Sequence, residues 1–244
     1  MNNTRISGYR TYNSKWNKTT ISLQKPITKL IVIYKPEDVI AAVEEIYQRC
    51  KKFPVIGMDC EWTPVHRKKE KPDVALLQIA TNDGFCILLR TCFMTELPHA
   101  MLELLSDPCI LKVGVGIFND GEFLKHKYPE LNIKGRFDIR YFSRFCNVFS
   151  KNESLKELTK ALLPFELQKE NILQYKWDDY LDNEMVQYAA LDALAGVLIF
   201  EKLLPLFHEQ ESEVPFHTIS SSELIERYFF NRNSICNPFV DTKL

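Results

Sequence analysis

Short apolar runs bounded by turn residues predict β-strands in the first half of the chain. Asp83 and Gly84 are typical of a hairpin turn and separate two such runs. With the run that precedes them, these segments predict a three-stranded antiparallel meander. A later, almost wholly apolar run predicts a central strand that is buried on both faces. The predicted strands are residues 29–34, 54–62, 74–80, 85–89 and 110–117, with a weaker candidate at 137–139.

Apolar residues at helical spacing predict the helices between and after these strands. Asn119 is the expected N-cap of one helix, and a capping box from Ser154 to Glu157 opens another. The longest predicted helix stops before Pro205, after which the chain becomes polar. The predicted helices are residues 36–50, 97–105, 119–128, 154–163 and 182–204, with a short one near 221–230. This order of elements predicts an α/β fold with a mixed sheet of about five strands flanked by helices.

Charge is distributed unevenly along the 244 residues, although the formal net charge is only −1. Seven of the 31 basic residues, and none of the 32 acidic ones, lie in residues 1–35. Residues 1–26 form a basic, polar leader that is poor in large apolar side chains, which indicates either a disordered tail or a mitochondrial targeting segment. We assign residues 27–207 to one domain and residues 208–244 to a C-terminal extension.

Hydropathy and cysteine usage narrow the class of protein. No stretch approaches the roughly 18 apolar residues that a membrane-crossing helix needs, so no transmembrane segment is predicted. The seven cysteines are irregularly spaced and form no C-x-x-C pair, so neither a zinc site nor a disulfide framework is expected. This usage favours a reducing, intracellular compartment, either the mitochondrion or the nucleus and cytoplasm.

Four acidic residues and one tyrosine occupy shared faces of predicted elements. Asp59 and Glu61 lie two apart on a strand, so their side chains point to the same face. Tyr188 and Asp192 lie four apart on a helix, where they are neighbours. Asp120 falls where the buried strand gives way to a helix, a usual place for functional groups in α/β sheets. The five side chains are therefore expected to converge.

Clustered carboxylates repel one another, and burial adds a desolvation cost. A pair of hard divalent cations between them removes the repulsion, since Mg²⁺ and Mn²⁺ prefer carboxylate oxygens as ligands. Two such ions about 4 Å apart would hold the attacking and leaving oxygens of a phosphoryl displacement. The predicted cofactors are therefore two divalent metal ions, Mg²⁺ or Mn²⁺.

The order of these fragments carries more weight than any one of them, because a second D-x-E occurs at residues 182–184. In that order the sequence resembles the DEDDy 3′→5′ exonucleases, a family that includes ribonuclease D and the Werner-type exonuclease. Within the family it is most similar to the branch of exonuclease 3′–5′ domain-containing protein 2. The resemblance spans roughly residues 54–204 and rests on the stretches VIGMDCEW, VALLQIA, ILKVGVGIFND and YAALDALAG.

The resemblance implies an RNase H-like fold and the removal of nucleoside 5′-monophosphates from single-stranded or recessed 3′ ends of DNA or RNA. It implies that Asp59 bridges both metals and that Asp120 holds the second metal. Glu61 and Asp192 would complete the site of the metal that activates water, and Tyr188 would orient that water. Relatives often carry Gln three residues before the tyrosine, where this chain has Met185.

Three further residues are candidates for substrate contacts. Trp62 either stacks on a terminal base or packs within the fold, since it is out of phase with the two carboxylates beside it. His66 belongs to a basic loop that either contacts phosphates or is a solvated hairpin connection. Gly116 permits close approach of the backbone, either to a neighbouring helix or to the substrate.

Two other functions remain open on the sequence. One is a catalytically silent nucleic-acid-binding module on the same fold, although silent relatives would usually have lost a carboxylate. The other is an enzyme that cleaves short oligonucleotides or small phosphodiesters, which would suit a body without a strong basic stripe. Preference for DNA or RNA depends on how a pocket treats the 2′-hydroxyl.

Overall fold

The structure, a computed structural model, describes residues 26–63, 72–148, 152–167 and 176–211. Almost all of the predicted leader, the basic loop with His66 and the helix predicted near residues 221–230 lie outside these ranges. Among the described helices, none combines the length and the apolar character that crossing a membrane requires.

The described residues form a sheet of six strands in the order β1-β4-β3-β2-β5-β6. The antiparallel meander predicted for β2, β3 and β4 is confirmed. The sheet has six strands rather than about five, because the weaker candidate near residues 137–139 is also a strand, β6, at one edge, and β1 pairs along its whole length with β4 at the other. The strands are β1 Lys29–Ile33, β2 Val55–Trp62, β3 Val74–Thr81, β4 Phe85–Leu89, β5 Leu111–Gly114 and β6 Arg136–Asp138.

Strand direction brings the ends of five strands to one edge of the sheet. β1 pairs in parallel with β4, β2 with β5, and β5 with β6. Only β3 runs the other way among the described strands. β5 is buried along its whole length, as predicted, but it lies between β2 and the edge strand β6 rather than at the centre. Loops that follow the parallel strands therefore share one edge, where α/β sheets usually carry function.

In the part of the chain that the structure describes, six α-helices cover the two faces of the sheet. The first three contribute to the core on one face and the last three to the core on the other. The predictions did not include α4, which follows β6 directly. The helices are α1 Val39–Cys50, α2 His99–Ser106, α3 Ile117–Lys127, α4 Ile139–Phe145, α5 Leu155–Leu162 and α6 Asn183–Glu211.

Helix α6 crosses β2 at very short distance, and this contact sets the position of the helix. A Cβ atom placed on Gly57 would lie 1.8 Å from the carbonyl oxygen of Ala193. Only a residue without a side chain allows the helix backbone to approach a strand so closely. Gly57, Asp59 and Glu61 alternate along β2 and so point to the face that α6 covers.

Two predicted helix boundaries were wrong. Helix α3 begins at Ile117 rather than after Asn119, because Gly116 adopts a left-handed conformation (φ 74°) just before it. Helix α6 continues through Pro205 to Glu211. A proline removes one helical hydrogen bond. The last turns nevertheless stay on the core, because Leu203 and Leu204 before the proline and Phe207 after it are buried. The domain boundary predicted at residue 207 falls inside this helix.

Candidate active site

The carboxylates of β2 lie where an otherwise buried strand becomes partly exposed. Asp59 and Glu61 are partly exposed. Met58, which precedes them, and Cys60, which lies between them, are buried in the core on the opposite face of the sheet. This alternation follows from the two-residue period of a strand. Asp59 and Glu61 therefore share the face beneath α6, as the sequence predicts.

Helix α6 brings a third carboxylate to this pair. Asp59, Glu61 and Asp192 each offer one carboxylate oxygen, and these three oxygens lie within 4.8 Å of one another. Asp192 is only 3% exposed. Three carboxylates at this separation repel one another strongly unless a cation lies between them. Their oxygens are the ligand type that Mg²⁺ and Mn²⁺ prefer.

Asp120 lies in the first turn of α3, directly after β5, and is 5% exposed. It lies outside the tightest set of three oxygens, yet its charge reaches them. Burial raises the pKa of Asp59 well above its ordinary value, and the charges of Asp120, Asp192 and Glu61 raise it further, Asp120 most of all. The four acids thus form one electrostatic group.

Burial also raises the pKa of Asp120 to about 7, and the charge of Asp138 adds to this effect. Asp138 is fully buried at the end of β6, where its carboxylate accepts hydrogen bonds from Arg140 Nη2 at 2.5 Å and from the Gly116 N–H at 3.1 Å. Asp138 therefore fixes the left-handed turn that precedes α3, and with it the position of Asp120.

Tyr188 is partly buried beside the carboxylates. Its hydroxyl is hydrogen-bonded to Asp192, and burial together with the Asp192 charge raises its pKa, so the hydroxyl stays protonated. The ring of the buried Trp177 lies beside the Tyr188 ring, with centroids 6.1 Å apart. The buried Arg90 holds that segment, because its Nη2 donates to the carbonyls of Trp177 at 3.2 Å and Asp179 at 2.7 Å.

A cleft of about 260 Å³ opens over these groups, near the lower end of the size range of ligand pockets. Four of the five predicted catalytic residues line it. Asp120 is not among the residues that line it. The lining consists of Met58, Asp59, Cys60, Glu61, Trp62, Gly114, Val115, Ser154, Leu155, Tyr188 and Asp192.

The residues predicted to contact substrate differ in their placement. Trp62 is 37% exposed at the cleft, and its ring packs edge-to-face on Phe123 at 5.2 Å. The structure thus shows packing for this side chain, and stacking on a terminal base stays a prediction. Gly116 is near the cleft, which its neighbours Gly114 and Val115 line, but its own N–H is engaged by Asp138. His66 lies outside the described residues.

Sequence reasoning missed several residues that build the site. Ser154 was identified as a helix cap, and its hydroxyl does accept from the Glu157 N–H, but its place in the cleft was not foreseen. Leu155, Trp177 and Asp138 were also missed. No local pattern marks these residues, since they reach the site only through tertiary packing.

A larger groove, of about 1050 Å³, lies beside α1 and the turn between β3 and β4. Three of its charged side chains, Glu45, Arg49 and Asp83, are engaged in ion pairs. Glu45 pairs with Lys29 and Arg49, and Arg49 pairs with Asp83. Among the described residues, no group of acids in this groove brings its carboxylate oxygens together as Asp59, Glu61 and Asp192 do.

Comparison with known proteins agrees with this geometry. The family model described as 3′-5′ exonuclease matches residues 34–207. This chain belongs to the 3′-5′ exonuclease family. The resemblance deduced from the fragments of the sequence is thereby confirmed.

Individual relatives within the exonuclease family point the same way. The chain is 36% identical over 197 residues to mouse exonuclease 3′-5′ domain-containing protein 2. The matched region covers 77% of this chain and 29% of that protein. It is 27% identical over 176 residues to the mouse bifunctional 3′-5′ exonuclease/ATP-dependent helicase WRN, covering 71% of this chain and 12% of that protein. The chain thus spans less than a third of the length of these relatives.

Among solved structures, Brucella melitensis NrnC has the same fold. The TM-score is 0.56 at 17% identity, over 74% of this chain and 84% of that one. The predicted α/β architecture with a mixed, helix-flanked sheet is confirmed.

Proposed function

We propose that this exonuclease-family domain is an active, metal-dependent 3′→5′ exonuclease that releases nucleoside 5′-monophosphates from 3′ ends of DNA, RNA or both. The carrying observation is the convergence of three carboxylate oxygens within 4.8 Å, beside a protonated tyrosine hydroxyl. A silent binding module would gain nothing from this arrangement, because unbalanced buried carboxylates cost stability and repel nucleic-acid phosphates.

The donor set fits two hard divalent ions. Asp59 lies between the other acids, with Glu61 and Asp192 in one tight set and Asp120 after the neighbouring strand. Asp59 would help to hold both ions, Glu61 and Asp192 would help to hold the first, and Asp120 the second. When bound, such ions supply an activated water and stabilise the attacking and leaving oxygens of an in-line displacement.

Tyr188 acts as a hydrogen-bonding group rather than a base in this scheme. Its raised pKa keeps the hydroxyl protonated, so it orients the attacking water together with Glu61. Water adds to the phosphorus atom, the bond to the preceding 3′ oxygen breaks, and a nucleoside 5′-monophosphate leaves. The contact with Trp177 restricts the ring of Tyr188 and so holds the hydroxyl in place.

We propose that the small cleft favours action at an end rather than within a strand. Besides the carboxylates and Tyr188, it is lined at the end of β5 by Gly114 and Val115 and at the start of α5 by Ser154 and Leu155. In this proposal one terminal nucleotide would lie in the cleft over the carboxylates. Trp62 offers a partly exposed ring at its rim for stacking on the terminal base.

Degradation of 5′-labelled single-stranded DNA and RNA tests the proposal, with Mg²⁺, Mn²⁺ or EDTA present. We expect a ladder that shortens from the 3′ end with either metal and none with EDTA. Asp120→Ala should abolish the ladder while the protein stays folded. Glu122→Ala is the matched control, because Glu122 is an exposed acid on the same helix and should retain full activity.

Full activity of Asp120→Ala would refute the site assignment. If the wild type binds the oligonucleotides but cleaves neither with any metal, the domain is a binding module instead. The relative rates on DNA and RNA give the substrate preference.

A further inference from the structure

A fully buried amide lies beside the carboxylate group without a hydrogen-bond partner. Gln78 is on β3 and is 0% exposed. Neither its Oε1 nor its Nε2 makes a hydrogen bond to any residue within the described ranges. Buried polar side chains without partners are rare in folded proteins, and each one calls for an explanation.

The surroundings of Gln78 do not explain the amide. Leu76 and Ala80 precede and follow it on the same face of β3, and both belong to the apolar core beneath α6. Leu88 is its partner on β4 and belongs to the same core. A methionine or leucine would fill this position and avoid the cost of burying an amide.

The register of the sheet places Gln78 directly opposite Asp59. The two residues are partners in the antiparallel pairing of β2 and β3, so their side chains point to the same face. Such partners have Cβ atoms about 4.5–5.5 Å apart, which lies within the reach of a glutamine side chain. Gln78 and Asp120 flank Asp59 from the two sides of β2.

The two flanks of Asp59 differ in chemistry. Three neighbouring charges act on Asp59, and all three are negative, from Asp120, Asp192 and Glu61. Gln78 is neutral and carries two N–H donors. A donor on this side favours the charged carboxylate and fixes its orientation, which neither Asp120 nor Asp192 can do.

We infer that Gln78 is a positioning residue for Asp59. When the Asp59 carboxylate turns to bind divalent cations, the free Nε2 of Gln78 donates a hydrogen bond to it and holds it in that orientation. The inference rests on the proposed function. Groups that hydrogen-bond to metal-binding side chains typically change metal affinity by about 10–100-fold. The amide is retained for metal binding, and not for the stability of the core.

The test compares the wild-type chain with Gln78→Met, an unbranched apolar replacement of similar size. Mn²⁺ affinity is measured by titration, unfolding by denaturant in EDTA, and kcat and KM on a labelled oligonucleotide. We expect Mn²⁺ affinity to fall at least about 10-fold and kcat to fall with it, while KM is unchanged. In EDTA, Gln78→Met should be as stable as the wild type or more stable.

Leu76→Met is the matched control, because Leu76 is equally buried on the same strand and face. It should keep the Mn²⁺ affinity and kcat of the wild type.

Two results would overturn the inference. The first is a Gln78→Met variant whose Mn²⁺ affinity and kcat equal those of the wild type. The second is a Gln78→Met variant that is clearly less stable than the wild type in EDTA, because Gln78 would then serve the packing of the core. If the wild type itself neither binds Mn²⁺ nor cleaves, the proposed function fails instead, so the two failures are distinguishable.

Discussion

Two halves of the same strand face, both beneath α6, have opposite properties. At Gly57 the helix backbone approaches β2 so closely that a single Cβ atom would overlap the carbonyl of Ala193. Two residues further along, Asp59 begins the open half, where Tyr188 and Asp192 face the strand across a cleft of about 260 Å³. One half is as dense as a protein interior allows, and the other holds mutually repelling charges.

The difference shows how the fold tolerates the acidic group. Repulsion among Asp59, Glu61 and Asp192 pushes α6 away from β2 in the absence of a cation. The close contact at Gly57 keeps the helix in place despite this force. The apolar half therefore contributes favourable free energy of folding, and this offsets the repulsion among the carboxylates that the polar half holds together.

Gly57→Ala should have the largest effect, because it disrupts the close packing of α6 on β2. The added Cβ meets backbone rather than a flexible side chain, so the helix must move, and we expect a loss of about 3 kcal/mol or more in unfolding free energy. Denaturant unfolding in EDTA measures this loss.

Gly196→Ala is the control for that substitution. Gly196 is on α6, and a Cβ there would meet the Val113 carbonyl oxygen at 3.2 Å, so a small movement relieves the contact. The gain of about 0.5–1 kcal/mol for alanine in a helix should offset most of the remaining cost. Equal losses in both variants would show that the contact at Gly57 is not what holds the helix.

Tyr188→Phe should affect only the open half. Removing the hydroxyl leaves the ring beside Trp177 but removes the group that we assign to orienting water. We expect kcat to fall about 100-fold, the lower limit for such a catalytic group, with unfolding free energy within about 1 kcal/mol of wild type. A variant with unchanged kcat would exclude the hydroxyl from the mechanism.

In metal-free protein, Asp120 should make the unfolding free energy depend on pH. Its folded-state pKa is about 7 against an ordinary 3.8, so the folded protein binds more protons between these values. Ionisation of Asp120 therefore lowers stability as pH rises from about 4 to about 7. In EDTA, Asp120→Asn should gain on the wild type by on the order of 1 kcal/mol per pH unit across this window.

Denaturant unfolding of both proteins at several pH values measures this difference. A stability difference that does not change with pH would contradict the assigned environment of Asp120.

Much of the site could be predicted because strand and helix periods decide which side chains share a face. That reasoning placed Asp59 with Glu61 and Tyr188 with Asp192 before any tertiary contact was known. It also found the meander, because hairpin signals are local. The strand at residues 29–34 was predicted, but its place at the edge of the sheet was not, since pairing of β1 with β4 joins residues more than fifty positions apart.

The features that were missed depend on distant partners. The N-cap of α3 is Gly116 and not the predicted Asn119, because the Asp138 carboxylate, 22 residues further along the chain, stabilises the turn at Gly116. Helix α6 continues through Pro205 because Phe207 packs on Phe142 and Phe145. The unpaired amide of Gln78 becomes visible only once β3 is aligned with β2. A sequence pattern carries none of this information.

The most direct test of the account is whether Mn²⁺ stabilises the folded protein through the carboxylate group. Denaturant unfolding near neutral pH, in EDTA and then with Mn²⁺ in large excess, compares the wild type with Asp192→Asn. Glu184→Gln, an exposed acid on the same helix, is the control. At a hundred times its dissociation constant, Mn²⁺ should stabilise the wild type and Glu184→Gln by about 2.7 kcal/mol, and Asp192→Asn far less. Equal stabilisation of all three proteins, or none of the wild type, would contradict the claim that these carboxylates form a metal site.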